Sequence, residues 1–480
     1  MVSGDPKGRS SMKLTTKMKI FLVAASTFLF AMIAINARAT YGAKISVDEP
    51  QYLLSALSLI EDGDLDISDE LEERRYWTYH PLKLNQQTID LSEDGQRISP
   101  HDPLLPLLLA VPMGIGGWVA AKVALALIAS LTAAVTLWVA IRRFEVSENI
   151  AAVIIGLCFA SPPMTAYATQ VYPEMPAALC LVTGIGLVTS NLDRTKLLWL
   201  SIVVTALPWL SVKYVPVAAM LVLYSAAKYW KKEKKDLLVL GTVLLISGLV
   251  YLFVHKRIYG GWTVYASGDH FVNGEFEVVG RNPNFFARTR RLSGLLFDQG
   301  FGLIAWAPFY FALIPSFVAL VKWRIKNWPI LWLTAATGWA VATWVALTMH
   351  GWWWPGRQLV IVLPAVIIAI TLLAERKKIW RWFICTGALS AITGWIWLAI
   401  ESQTGNRTLV VDFEETPYPI YRFIRLILPN FRDFGIKATL LNALWITLSC
   451  LATLTLFKNK HQSEAISTQV EEATDSRSES

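Results

Sequence analysis

Residues 20–35, IFLVAASTFLFAMIAI, carry no charge, and ten residues later the chain reads SVDEPQYL, residues 46–53. The first run is long enough, with its flanks, to approach the ~20 residues that a helix needs to cross hydrocarbon. The second places adjacent carboxylates, Asp48 and Glu49, where such a helix would meet water. Charge beside hydrocarbon is expensive, so the pair is either an interfacial helix cap or a chemical group. Pro50 follows, then QYLLSALSLIEDGDLD, which reads as a helix with proline in its first turn.

Composition extends the pattern. The 480 residues are 54% apolar and 17% charged, with 21 Trp. A soluble chain would carry about 25% charge. Apolar residues fall in long blocks, not on periodic faces. The fold class is therefore all-α: a polytopic membrane protein of about 12 transmembrane helices. The spans are expected near 18–38, 118–141, 149–166, 174–190, 196–212, 214–230, 237–255, 300–321, 329–349, 358–374, 382–400 and 438–457.

Net charge is +8, but the basic residues sit in short clusters between apolar blocks, which a membrane protein explains better than a nucleic-acid surface does. Alternate loops hold Arg142 and Arg143; Arg194 and Lys196; Lys231, Lys232, Lys234 and Lys235; Lys322, Arg324 and Lys326; Arg376, Lys377 and Lys378; Lys458 and Lys460. The positive-inside rule places these loops and both termini in the cytoplasm. Residues 1–17 form a cytoplasmic N-terminus, and 458–480 a polar, disordered cytoplasmic tail. Ala37-Arg38-Ala39 imitates a signal-peptidase site, but an uncleaved anchor keeps the Asp48 loop tethered to its own helix. Cys158, Cys180, Cys385 and Cys450 lie inside apolar blocks without ligand spacing and read as small core residues.

Four segments fall on the opposite, extracytoplasmic face: acid-rich 41–101, the turn TQVYPEMP around Glu174, 255–299 and 401–437. The last contains IYRFIRLILPNF, an amphipathic helix expected to lie along the surface. The 255–299 loop carries Lys256, Arg257, Arg281, Arg288, Arg290 and Arg291 against the charge rule. Two readings stand for them: an anionic partner such as a lipid phosphate, or ordinary anionic headgroups. The acids of DGDLD and DISDE read as solvated surface charge.

Polar groups converge on that one face. Besides Asp48 and Glu49 there are Glu174 in VYPEMPAAL, His101 and Asp102 in SPHDPLLPLLL, Asp298 and Gln299 in LFDQGFGLIAWAP, and HGWWWPGRQLV with His350 and Arg357. Asp-Glu in the first outer loop, a Pro-His-Asp-Pro return and Tyr-Pro-Glu in the second outer loop together resemble the GT-C superfamily. These polytopic glycosyltransferases use polyprenyl-phosphate sugars. They include protein O-mannosyltransferases and the aminoarabinose transferases that act on lipid A. The resemblance covers mainly 18–230, plus the DQGFG and PGR stretches.

The resemblance implies an enzyme. Residues 18–230 would be its catalytic module, and 231–457 further helices carrying the 255–299 and 401–437 loops. A sugar, a hexose such as mannose or a pentose, would pass from a polyprenyl phosphate to an acceptor hydroxyl, with inversion. Asp48 would be the general base, with Glu49 second to it, and Glu174 would orient hydroxyls. Negative charge on the departing phosphate calls for fixed cations. Arg357 leads, because its fork suits phosphate and Gly356 admits a close backbone approach. Lys213 in WLSVKYVP, with Tyr214 beside it, is either a second phosphate ligand or a snorkelling residue. Arg257 is a phosphate ligand or a helix-end anchor. His101 binds phosphate or acceptor, or caps the returning helix, and His350 has the weaker claim. Trp352, Trp353 and Trp354 would stack on a sugar or form an interfacial belt.

No cofactor is required beyond the donor itself. A divalent ion between Asp48 and Glu174, as in the oligosaccharyltransferase branch, is a secondary expectation. The expected partners are the polyprenyl-phosphate sugar, a glycan, glycolipid or protein acceptor, and membrane lipids. The setting is a bacterial plasma membrane with the active site outside. A transporter or flippase of a lipid-linked saccharide is the alternative. It wants ionisable groups deep in spans, broken helices in paired positions and internal symmetry. A non-catalytic scaffold is the third reading. Neither the sugar nor the acceptor is legible in the residues.

Overall fold

The structure, a computed structural model, describes residues 14–84, 87–88, 95–191, 193–231, 234–262, 266–270 and 284–457. Residues 1–13, the tail 458–480 and Arg281 lie outside the described residues. Those described form helices, with no β-strand among them.

Helix α1 (Thr16–Met32) opens where Thr15 accepts the Met18 N–H. The loop after it holds α2 (Glu49–Glu61) and α3 (Ser68–Glu72), and the chain returns through α4 (Leu104–Phe144). Helices α5 (Glu148–Ala160), α6 (Met164–Tyr167) and α7 (Glu174–Val188) follow, then α8 (Arg194–Leu210), α9 (Val215–Tyr229) and α10 (Lys234–Tyr259). The core is built on α4, against which α1, α2, α5 and α7 pack. Later helices include Leu313–Lys322, Trp328–Ala340, Leu363–Arg376, Lys378–Thr404 and Ile436–Leu454.

Among the described residues, five helices are long and apolar enough to cross a membrane: Leu104–Phe144, Lys234–Tyr259, Arg357–Arg376, Lys378–Thr404 and Ile436–Leu454. Every residue from Leu363 to Ala374 is buried, as expected of a helix apolar all round. In α10 and Ile436–Leu454 apolar side chains such as Leu245, Phe253, Leu440 and Leu451 are exposed instead. A water-facing helix would not tolerate this, but a lipid-facing one requires it. The chain is a multi-pass α-helical membrane protein.

Each expected span contains helix, but several differ in form, three of them markedly. The 118–141 span is the second arm of a longer helix. α4 begins at Leu104 and kinks at Gly116 and Gly117, the latter at φ +61°. The first arm carries Pro106, Pro112 and three glycines, which hid it from a hydropathy reading. The 300–321 span is broken into Leu303–Trp306, a 3₁₀ stretch Pro308–Ala312 and Leu313–Lys322. The 329–349 span ends in a wide π turn, Val341–Val345.

The cations of the 255–299 loop divide. Arg288 donates to Trp344 O (2.6 Å), and Arg291 to Ala346 O (2.7 Å) and Leu347 O (3.1 Å). They satisfy carbonyls at the end of the π turn, so an anionic partner is not needed to explain them. Lys256 and Arg257 are exposed. The Pro419–Ile427 helix buries only Tyr421 and exposes Ile420, Phe423, Leu426 and Ile427, as an interfacial helix should. The reading of DISDE as solvated charge is corrected: Glu70 is 1% exposed.

Candidate active site

Asp48 is the N-cap residue of α2, yet its side chain makes no capping hydrogen bond. Its Oδ2 instead accepts from Arg357 Nη1 at 3.0 Å, and its Oδ1 from Gln87 Nε2 at 3.4 Å. Nor is α2 a surface helix, since residues 49–58 are buried. The interfacial-cap explanation therefore fails for Asp48.

Arg357 follows Gly356, which sits at φ +85° with Leu303 and Pro163 close to where a Cβ would stand. A side chain at 356 would be strained and would meet Leu303 at 2.9 Å. That turn starts the 3₁₀ stretch Arg357–Val362 and aims the guanidinium at the N-terminus of α7. There Arg357 Nε donates to Glu174 Oε1 at 3.1 Å. Lys213 Nζ donates to the same oxygen at 2.9 Å and to Gln358 Oε1 at 3.3 Å. Two carboxylates and two cations thus form one continuous cluster. Glu174 is 1% exposed and Arg357 8%, whereas Asp48 (18%) and Lys213 (21%) keep an open side. The guanidinium carbon lies 3.8 Å from the Tyr172 ring centroid and 5.1 Å from that of Trp353.

Lys213 is held from behind. Asp102 Oδ2 accepts the Val212 N–H (3.2 Å) and its Oδ1 accepts the Tyr251 hydroxyl (2.9 Å). His101 stacks on Tyr52 with ring centroids 4.5 Å apart. Tyr214 adjoins the cluster, with the Lys213 ammonium 5.2 Å from its ring centroid.

The electrostatics follow. Burial works against ionisation of Asp48, yet the Arg357 charge and the hydrogen bonds from Arg357 and Gln87 more than offset it. They hold the carboxyl below the usual carboxylate range. Burial pushes His101 down to about 4, so its ring is neutral near pH 7. His101 therefore suits a hydrogen-bonding role, not that of a phosphate-binding cation. Glu49 differs from Asp48: its Oε2 accepts the Val171 N–H at 2.7 Å, tying α2 to the turn before α7. Burial raises its carboxyl above the ordinary range.

The other expected residues lie elsewhere. Arg257 is exposed near the end of α10. His350 Nε2 sits 3.5 Å from Asp298 Oδ1, and Asp298 caps Gly300 and Phe301. The three tryptophans part company: Trp352 is exposed, Trp353 faces Arg357, and Trp354 is buried against Trp306 and Trp395. The Arg357 guanidinium bridges the two carboxylates that a divalent ion would have to share, so this pair does not fit a metal site in this arrangement. Sequence reasoning missed Tyr172, Tyr52 and Gln358. Tyr172 stands in the Tyr-Pro-Glu motif but was given no role there, no pattern singles out Tyr52 in a chain with 15 Tyr, and Gln358 carried only its adjacency to Arg357.

No protein-family model and no curated protein matches the chain. Its architecture recurs in solved structures. ArnT from Cupriavidus metallidurans bound to undecaprenyl phosphate superposes with a TM-score of 0.51 at 14% identity, over 89% of this chain and 77% of that one. The same protein in the apo state gives 0.54 at 13% identity, over 81% of this chain and 77% of that one. At this identity the likeness is one of fold. The chain shares the fold of ArnT over most of its length.

Proposed function

We propose that the protein is a membrane glycosyltransferase that moves a sugar from a polyprenyl-phosphate donor to an acceptor hydroxyl on the extracytoplasmic face. One observation carries the reading: Arg357 and Lys213 converge on Glu174, with Asp48 on the same guanidinium. Fixed cations suit a departing phosphate, and the carboxylate beside them is ionised and partly open. The ArnT structure with undecaprenyl phosphate supports a polyprenyl carrier as the lipid partner.

In the proposed step the donor phosphate approaches Arg357 and Lys213 and displaces the carboxylates from part of their hydrogen bonding. The acceptor oxygen attacks C1 as the C1–O bond to phosphate breaks. The electron pair leaves on the phosphate, where the two cations stabilise it. Asp48 takes the acceptor proton. A single displacement inverts C1 through an oxocarbenium-like transition state. Glu174 fixes both cations and needs no proton of its own. Tyr172 and Trp353 hold the guanidinium plane. No metal takes part, because the cations supply the charge.

The topology that goes with this has twelve spans, cytoplasmic termini and residues 18–230 as catalytic module, in a bacterial plasma membrane. A mannose or pentose donor serving envelope assembly fits the superfamily. Purified protein given a polyprenyl-phosphate hexose or pentose and an envelope acceptor fraction is expected to release polyprenyl phosphate. Asp48→Asn should lower that rate by about 10²–10⁴-fold, the usual worth of a general base, in a protein that still unfolds cooperatively. Full turnover by this variant would remove Asp48 from the role. Lipid translocation without release would favour a flippase.

A further inference from the structure

The acidic run after α2 is not all solvated charge, and its members can be sorted by what they hold. Glu61 is paired with Arg75 at 2.7 Å. Asp64 Oδ1 accepts from Ser58 Oγ (2.9 Å) and the Asp66 N–H (3.0 Å). Asp66 Oδ1 accepts from the Ser68 and Arg97 N–H groups (3.1 and 2.9 Å) and from Ser68 Oγ (2.6 Å). These three acids are used by the local turns.

Asp62, Asp69 and Glu70 are different. Each presents a carboxylate oxygen, and these oxygens lie within 4.8 Å of one another. Glu70 is 1% exposed, and both its oxygens lack a hydrogen-bond partner among the described residues. A buried carboxylate with nothing bound to it is costly, so either a proton or a cation must neutralise it. The donor set is all oxygen and contains no His or Cys, which suits a hard cation. Asp62 is also the C-cap of the 13-residue helix α2, and a helix C-terminus carries the negative end of the dipole.

We propose that Asp62, Asp69 and Glu70 form a divalent-cation site of the calcium class that clamps the C-terminal end of α2 to α3. Asp62 and Asp69 are exposed, so water completes the six to eight oxygens that calcium takes. That predicts weak binding, with a Kd of about 10⁻⁴–10⁻³ M, the range of extracellular modules. The site is about 20 Å along α2 from Asp48, at 1.5 Å per residue. It steadies the helix that presents Asp48 and takes no part in chemistry. The proposal does not depend on the transferase reading.

The test uses the full-length protein in detergent, stripped with chelator. Calcium, magnesium and zinc are titrated separately by calorimetry, and thermal unfolding is followed with and without 10 mM calcium. One saturable calcium equivalent is expected, with a Tm rise of a few degrees. Glu70→Gln and Asp69→Asn should weaken binding at least tenfold, and exposed Glu72→Gln should leave it unchanged. If Glu70→Gln fails to fold, exposed Asp62→Asn carries the same expectation. No saturable calcium binding, or binding undiminished in these variants, overturns the site. So does a Tm that follows pH but not calcium, since a proton shared by Asp69 and Glu70 would then suffice. Turnover is measured apart: loss of calcium binding is expected to leave release of polyprenyl phosphate intact, and saturable binding without any Tm rise would refute the clamp.

Discussion

Removing Arg357 leaves Asp48 and Glu174 sharing a largely enclosed space without their common cation. Breaking a buried pair from one side costs about 3–5 kcal/mol. Arg357→Met should therefore lower stability by that order in detergent unfolding, and Asp48→Asn should recover part of the loss in the double variant. Equal effects with and without Asp48→Asn would show that the two do not couple. His101 makes a pH prediction. Its folded pKa is depressed to about 4 from 6.5, so only the unfolded chain binds this proton between those values. Stability should fall as pH drops from 6.5 towards 4, by on the order of 3 kcal/mol from this group. His101→Gln should flatten that part of the melting-temperature profile, and an unchanged slope would assign it to other groups. Asp48, Glu174, Lys213 and Arg357 were legible because each is a charge at the edge of an apolar run. Glu70 was misread because it sits among exposed acids, and one-dimensional charge counting cannot tell the buried member of such a run.

Element boundaries were legible wherever hydropathy was unbroken, as in α10 and Lys378–Thr404. They were lost where proline and glycine interrupt the pattern, as in the first arm of α4. Gly117 sits at φ +61° and ψ −154°, a region essentially reserved for glycine, with open space where a Cβ would stand. Gly117→Ala should cost about 1–3 kcal/mol by conformation alone. Gly241 lies inside α10 with equally open surroundings, and its φ is ordinary for a helix. Gly241→Ala should be neutral or stabilising by up to about 1 kcal/mol. Paired thermal melts measure both, and equal effects would argue against a fixed kink.

At the scale of the whole molecule, hydropathy identified a many-helix membrane protein because lipid rewards apolar residues wherever they point. It could not show how α1, α4 and α7 fold back to bring residues 48, 174, 213 and 357 together, since those contacts span up to 309 positions. Sidedness is open to direct test in a background without reactive cysteines. A cysteine at exposed Glu61 should label with an impermeant maleimide on intact cells, and one at exposed Lys326 only after permeabilisation. The reverse pattern would invert the topology.

The central claim is that Arg357 and Lys213 receive the donor's phosphate. It is tested most directly by the affinity of the purified protein for polyprenyl phosphate. Lys213→Met keeps the apolar stem and removes the charge, and exposed Arg257→Gln serves as control. The account predicts at least tenfold weaker binding for Lys213→Met, with phosphate-free polyprenol bound equally by both proteins, and no change for Arg257→Gln. Undiminished binding by Lys213→Met, or loss confined to Arg257→Gln, would contradict it.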